Sequence, residues 1–265
     1  MVSDQRQRSV RGKIAAVLEE RLALMAPARR LRLALAEDVV ADHAGGRPIR
    51  VLDAGAGDGL LSLAIAKRHP HWSILGVDLR EDLLAGARAR ARGRALQNVR
   101  FEPADLTEEL PESGLDVVLA LECLSEIPDD QGALRTMAAA LAPGGLLVAQ
   151  VPERSWQAIL PGSPSTWRDQ VRQGYSSEEI SEALRRAGPE QVEVQQIYRA
   201  TAVVAQEIRD RIKDSNLAIR AAAFPALAAA VRLERWGITG GRPHALLAVA
   251  RRPNGNQRGS RDVLP

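Results

Sequence analysis

The sequence predicts an α/β protein: a seven-stranded, mainly parallel sheet with helices on both faces, a helical N-terminal extension and a helical insertion before the last strand. Three observations predict it. From Ile49 to Glu153, short apolar runs alternate with amphipathic stretches of helical period, the pattern of consecutive βαβ units. The 265 residues are 45% apolar, enough to bury a sizeable core. A glycine-rich stretch, "VLDAGAGDGLL" from Val51 to Leu61, joins the first apolar run to the first helical one.

The elements follow in order. Val10, Ile14, Val17, Leu18, Leu22 and Met25 recur at helical spacing, so residues 1–44 read as a helical extension with one apolar face. "IRVLDAG", "SILGVDL", "VRFEPAD", "LDVVLALE" and "LLVAQVPE" are the first five strands, separated by helical segments such as "EDLLAGARARARGRA". Pro143, Gly144 and Gly145 supply stop chemistry after the helix that precedes strand five. Beyond a polar loop, "SSEEISEALRRAG" opens with Ser176 as N-cap and Glu179 completing a capping box. "QVEVQQIYRATAVV" and "HALLAVARRP" are the last two strands, and Thr201 to Arg242 between them carries helices interrupted at Pro225. The expected organisation is a lid over residues 1–44, a nucleotide-fold domain over 45–253 with an insertion at about 202–243, and a disordered polar tail over 254–265.

Composition removes several function classes. The single Cys123 excludes an internal disulfide and a thiolate zinc cluster, and His43, His69, His71 and His244 lack metal-ligand spacing, so no metal is expected. Neither a signal peptide nor a membrane span of roughly 20 apolar residues is visible, which makes the cytoplasm the expected location. Ten basic residues face sixteen acidic ones over 51–155, between flanks of net +4 and +5. A nucleic-acid binder concentrates basic charge on one face, so no nucleic-acid partner is expected.

The glycine loop narrows the ligand. A strand, a tight glycine turn and a helix form a nucleotide-binding start, because glycine admits the ligand to the backbone and the helix N-terminus favours polar groups. A P-loop needs Gly-Lys-Ser/Thr, which is absent. A dinucleotide loop needs a third glycine where Leu60 stands. Instead Gly55, Gly57 and Gly59 follow Asp53, and Asp78 ends the second strand.

This D-x-G-x-G-x-G pattern resembles motif I of the class I S-adenosylmethionine-dependent methyltransferases. "LECLSEIPD" resembles the family's segment after strand four, "LAPGGLLVAQVPE" its late helix-to-strand turn, and the resemblance spans roughly Ile49 to Gly188. It implies the class I fold, S-adenosylmethionine as cofactor and S-adenosylhomocysteine as product. Carried over by position, Asp78 takes the ribose hydroxyls with Leu79 beside it. Asp105 receives the adenine amino group, with Leu106 next to it. Asp53, Ala54, Gly55 and Gly57 face the methionine end, and Glu122 lies near that end or near the acceptor. Taken alone, Asp53 and Asp78 also read as helix caps and Asp105 as a turn residue. The acidic stretch 51–155 suits a cationic sulfonium.

Chemistry at the acceptor is read less directly. Methyl transfer needs alignment and desolvation, and a base only where the acceptor must lose a proton. The family's Glu-His is here Ser125-Glu126, so Glu126 is the leading base, with His244 and Tyr175 as further catalytic candidates. An Asn/Asp-Pro-Pro-Tyr signature is absent, and Cys123 follows glutamate rather than proline, so it reads as a bystander. The resemblance places acceptor selection in residues 1–44, in the loop bearing Trp156 and Trp167, and in 202–243, which carries Trp236. Trp156 and Trp167 are the acceptor-pocket candidates. A small or medium-sized organic acceptor, such as a secondary metabolite, sugar or quinone-like compound, is the leading expectation. A lipid-linked acceptor at a membrane surface is one alternative, because 202–243 mixes arginines with an apolar face. A protein that binds the cofactor without catalysing transfer is another. Peripheral membrane contact and a homodimer remain open.

Overall fold

The computed structural model describes residues 26–164, 170–238 and 240–254. The apolar N-terminal face to Met25, Trp167 and nearly all of the tail therefore lie outside the described residues. Helix α1 spans Pro27–Ala44. The sheet strands are β1 Arg50–Ala54, β2 Ser73–Asp78, β3 Val99–Pro103, β4 Leu115–Leu121, β5 Leu141–Pro152, β6 Gln191–Ile197 and β7 Ala245–Arg251. Between them run α2 Leu60–Arg68, α3 Glu81–Gly93, α4 Asp130–Ala140, α5 Ser177–Ala187, α6 Ala200–Ile212 and α7 Leu217–Arg235.

The seven strands lie in the order β3-β2-β1-β4-β5-β7-β6. Pairing is parallel from β3 through β5, and β7 runs antiparallel to both β5 and β6. The order reverses between β1 and β4, where the carboxyl ends of the strands open a crevice. Strands 1, 4 and 5 are nearly all apolar because both faces are covered, as a buried parallel sheet requires. On one face Leu52, Ala54, Val118, Ala120, Ala149, Val151 and Ala248 pack with Met137, Ile180 and Leu184 from α4 and α5.

The chain divides into two compact units. One consists of residues 34–157, 164–197 and 242 onward and contains the sheet. In it the capping box holds: Ser176 Oγ accepts from Glu179 N at 3.2 Å while Glu179 Oε2 accepts from Ser176 N at 2.8 Å. Among the described residues, the other unit comprises 26–33, 158–163 and 198–241. Within it α6 packs on α7, Glu207 accepts the backbone N–H groups of Ile159 and Leu160, and Tyr198 donates its hydroxyl to the Ala28 carbonyl.

Two expectations for this region are corrected. Residues Ala200 to Val204, read as the end of a strand, begin α6. The helices break not at Pro225 but at Lys213 to Asn216, where Asn216 Oδ1 accepts from Ile219 N and caps α7. Pro225 lies inside α7 and removes only its own N–H from the ladder, a loss the long alanine-rich helix tolerates.

Candidate active site

The glycine loop leaves β1 at Ala54, which is buried, and each of its glycines has positive φ: 72° at Gly55, 54° at Gly57 and 70° at Gly59. The reasons differ. A Cβ on Gly59 would lie 2.6 Å from Ala87 Cβ and 2.8 Å from the Phe101 ring, and one on Gly55 would lie 2.6 Å from Cys123 Cβ. Beside Gly57 the nearest atom would be Arg80 Nη2 at 3.8 Å. Gly55 and Gly59 are therefore required by the protein's own packing, whereas Gly57 faces room.

Asp78 ends β2 almost fully buried and organises that room. Its Oδ2 accepts the Gly57 N–H at 2.8 Å, and its Oδ1 accepts from Arg80 N at 2.9 Å and Arg80 Nε at 3.2 Å. The hydrogen bond to Asp78 first, with Glu126 and Asp82 adding, raises the Arg80 pKa above its ordinary value. Asp53 is also buried, and its Oδ2 accepts the Ser62 hydroxyl from α2. Neither aspartate caps a helix: α2 starts at Gly59 and α3 at Arg80, both without a side-chain cap. Leu79 stands 69% exposed beside Asp78.

After β3, Asp105 Oδ1 accepts from Thr107 N at 2.8 Å and Thr107 Oγ1 at 2.7 Å, which lowers its pKa. The turn reading of Asp105 thus holds for Oδ1, leaving Oδ2 for a ligand. Leu106, next to it, is buried in the core cluster.

Beyond β4 the chain turns sharply at Glu122, a non-glycine residue at φ 69°. Gln150 on β5 holds it twice, its carbonyl accepting Glu122 N–H at 2.9 Å and its Nε2 donating to Glu122 Oε1 at 2.9 Å. Cys123 follows, its thiol pushed up to about 12 by burial and then by Asp53, so it is a protonated packing residue. A short 3-10 turn, Leu124–Glu126, leaves Glu126 exposed. The Ser125 carbonyl accepts the N–H groups of Val171 and Arg172, which ties the loop after β5 to this turn.

Two catalytic candidates are corrected by their geometry. Tyr175 is completely buried and donates its hydroxyl to Asp130 Oδ2 at 2.6 Å, under the Arg172 guanidinium 4.0 Å from its ring centroid. Burial first, then the bond to Asp130, pushes its pKa up, which is the setting of a structural anchor and not of a base. His244 turns Nδ1 to the Arg242 carbonyl and Nε2 to the Gln157 carbonyl, each at 3.0 Å. Both nitrogens lie against backbone carbonyls, which hold the ring in the protein's own hydrogen bonding. Trp156 is buried, its ring centroid 6.4 Å from that of His244.

Arg80, Ser62 and Gln150 join this constellation without having been singled out in the sequence. Gln150 carried a signal: an amide inside "LLVAQVP" sits in a buried strand, where its polar atoms need partners.

Among known proteins, a family model described as a methyltransferase domain matches residues 52–147. The chain is 36% identical over 118 residues to trans-aconitate 2-methyltransferase of Methylobacterium nodulans, covering 44% of each. It is 32% identical over 126 residues to ubiquinone biosynthesis O-methyltransferase of Aeromonas salmonicida, covering 46% of this chain and 52% of that one. The chain thus spans about half the length of the curated relatives it matches. Among solved structures, the cyclase SpnF superposes with a TM-score of 0.58 at 24% identity, over 83% of this chain and 81% of that one. Phosphoethanolamine N-methyltransferase 2 of Haemonchus contortus, in complex with S-adenosyl-L-methionine, superposes with a TM-score of 0.59 at 20% identity, over 83% and 53%. Residues 52–147 thus match a methyltransferase domain, and the sheet order with the glycine loop after β1 is that of the class I methyltransferase fold.

Proposed function

We propose that this chain binds S-adenosylmethionine between the glycine loop and the turn after β4 and transfers its methyl group to a small organic acceptor. The observation that carries the reading is the Asp78 carboxylate at the end of β2, bonded to the N–H of Gly57, the loop glycine with open space beside it. Such a carboxylate retains acceptor capacity for ribose hydroxyls. Exposed Leu79 offers an apolar surface to the adenine ring, and Asp105 Oδ2 an acceptor for its amino group. The sulfonium supplies the reactivity when the cofactor is bound. Gly55 and Glu122 would meet the methionine end of the cofactor, where negative charge favours a cationic ligand, with Asp53 buried beneath the loop.

A small-molecule acceptor is supported by the relatives, whose names specify trans-aconitate and an O-methylation in ubiquinone biosynthesis. Where the acceptor must lose a proton, Glu126, exposed on the turn after β4, is the proposed base. The test is calorimetry with S-adenosylhomocysteine. Asp78→Ala should abolish measurable binding, and undiminished affinity would refute the assignment. Transfer of labelled methyl to a panel of small acids and phenols then tests turnover and separates an enzyme from a cofactor-binding protein.

A second reading, an acceptor held at a membrane surface, draws on one observation. Ile219, Leu233, Trp236 and Ile238 are exposed around α7, Trp236 to 70%. No described helix is long and apolar enough to cross a membrane, so contact would be interfacial. Flotation with anionic liposomes decides it.

A further inference from the structure

The sulfonium ligand carries an ammonium at its amino-acid end, and the motif resemblance gives that group to Asp53. The geometry points to a different partner. Asp53 is only 4% exposed and already accepts the Ser62 hydroxyl, so it lies beneath the loop, not at its surface. Glu122 is half-buried beside the glycine loop: its neighbour Cys123 packs against Gly55, 2.6 Å from where a Cβ on that glycine would be.

Glu122 is held in place at some cost. Its left-handed backbone is one that a glutamate adopts only where surrounding structure imposes it. Gln150 imposes it through its backbone carbonyl and its side-chain amide nitrogen. Gln150 itself is fully buried, and its Oε1 has no hydrogen-bond partner. A buried strand that keeps an amide with one oxygen unsatisfied, instead of an apolar residue of the same size, carries a desolvation penalty that only its hold on Glu122 offsets.

We propose that Gln150 is a positioning residue: it fixes the Glu122 carboxylate as the counter-anion for the ligand's ammonium. This rests on the cofactor reading above and adds a residue and a role to it.

The experiment compares two probes on the full chain by calorimetry: S-adenosylhomocysteine, which has the amino-acid end, and methylthioadenosine, which lacks it. Gln150→Leu should weaken S-adenosylhomocysteine by about tenfold or more and leave methylthioadenosine unchanged, the loss expected of a charge-assisted contact. Glu122→Gln should do the same, and the double variant should add little to Glu122→Gln alone, because Gln150 acts through Glu122. Gln150→Met serves if the leucine variant does not fold. Equal weakening of both probes, or none of either, overturns the proposal. If the wild-type chain binds neither nucleoside, the cofactor reading itself falls, and this inference falls with it.

Discussion

The three loop glycines separate packing from ligand room, and two alanine substitutions test that separation. In Gly59→Ala the new Cβ meets Ala87 Cβ at 2.6 Å and the Phe101 ring at 2.8 Å, neither of which is the free end of a flexible chain. A left-handed φ costs a non-glycine residue roughly 1–2 kcal/mol, and overpacking a core adds about 1–3 kcal/mol. The sum, about 2–5 kcal/mol, corresponds to a melting temperature lower by roughly 5–15 °C in a chain of this size. Gly57→Ala carries only the conformational cost, because its nearest neighbour is the Arg80 guanidinium at 3.8 Å. It should lower the melting temperature by about 2–6 °C and yet weaken S-adenosylhomocysteine by about tenfold or more, since its methyl enters the ligand's space. Thermal unfolding and calorimetry on both variants provide the comparison. Equal destabilisation by the two, or full affinity in Gly57→Ala, would refute the division of roles.

Tyr175→Phe removes a hydroxyl that donates to Asp130 in the core, so urea unfolding should show a loss of about 2 kcal/mol with S-adenosylhomocysteine affinity intact; lost affinity would restore Tyr175 to the site. Glu179 has a lowered pKa: burial opposes the shift, but the Ser176 N–H and the charges of Arg154 and Arg172 outweigh it. A carboxylate with a depressed folded pKa stabilises above its unfolded pKa and loses that contribution as pH falls through the folded value. The stability gap between wild type and Glu179→Gln should therefore be full at neutral pH and close in acid, and a gap that widens in acid would contradict the capping-box account. Cys123, with its thiol pushed up to about 12, should resist alkylation at pH 8 in the folded chain and react once unfolded; rapid reaction of the native protein would count against its burial in the loop packing.

How far the sequence reached follows from which signals are local. Hydrophobic periodicity, glycine spacing and helix caps depend on neighbours in the chain, so the βαβ pattern, the capping box at Ser176 and the loop from Asp53 to Gly59 could be read directly. The same local logic misread Pro225, because a helix stabilised along its length absorbs one missing donor. Roles set by partners far along the chain were not legible. Tyr175 is an anchor because Asp130 lies against it, 45 residues away in sequence, and His244 is turned from chemistry by a carbonyl 87 residues away. Gln150 reaches Glu122 only because β4 and β5 are neighbours in the sheet. The sequence alone determined the fold class and the acidic glycine loop after the first strand. The tertiary structure decided which of the polar residues are committed to the protein itself and which are left to meet a ligand, because hydrogen-bond capacity is consumed by whatever packing brings within about 3 Å.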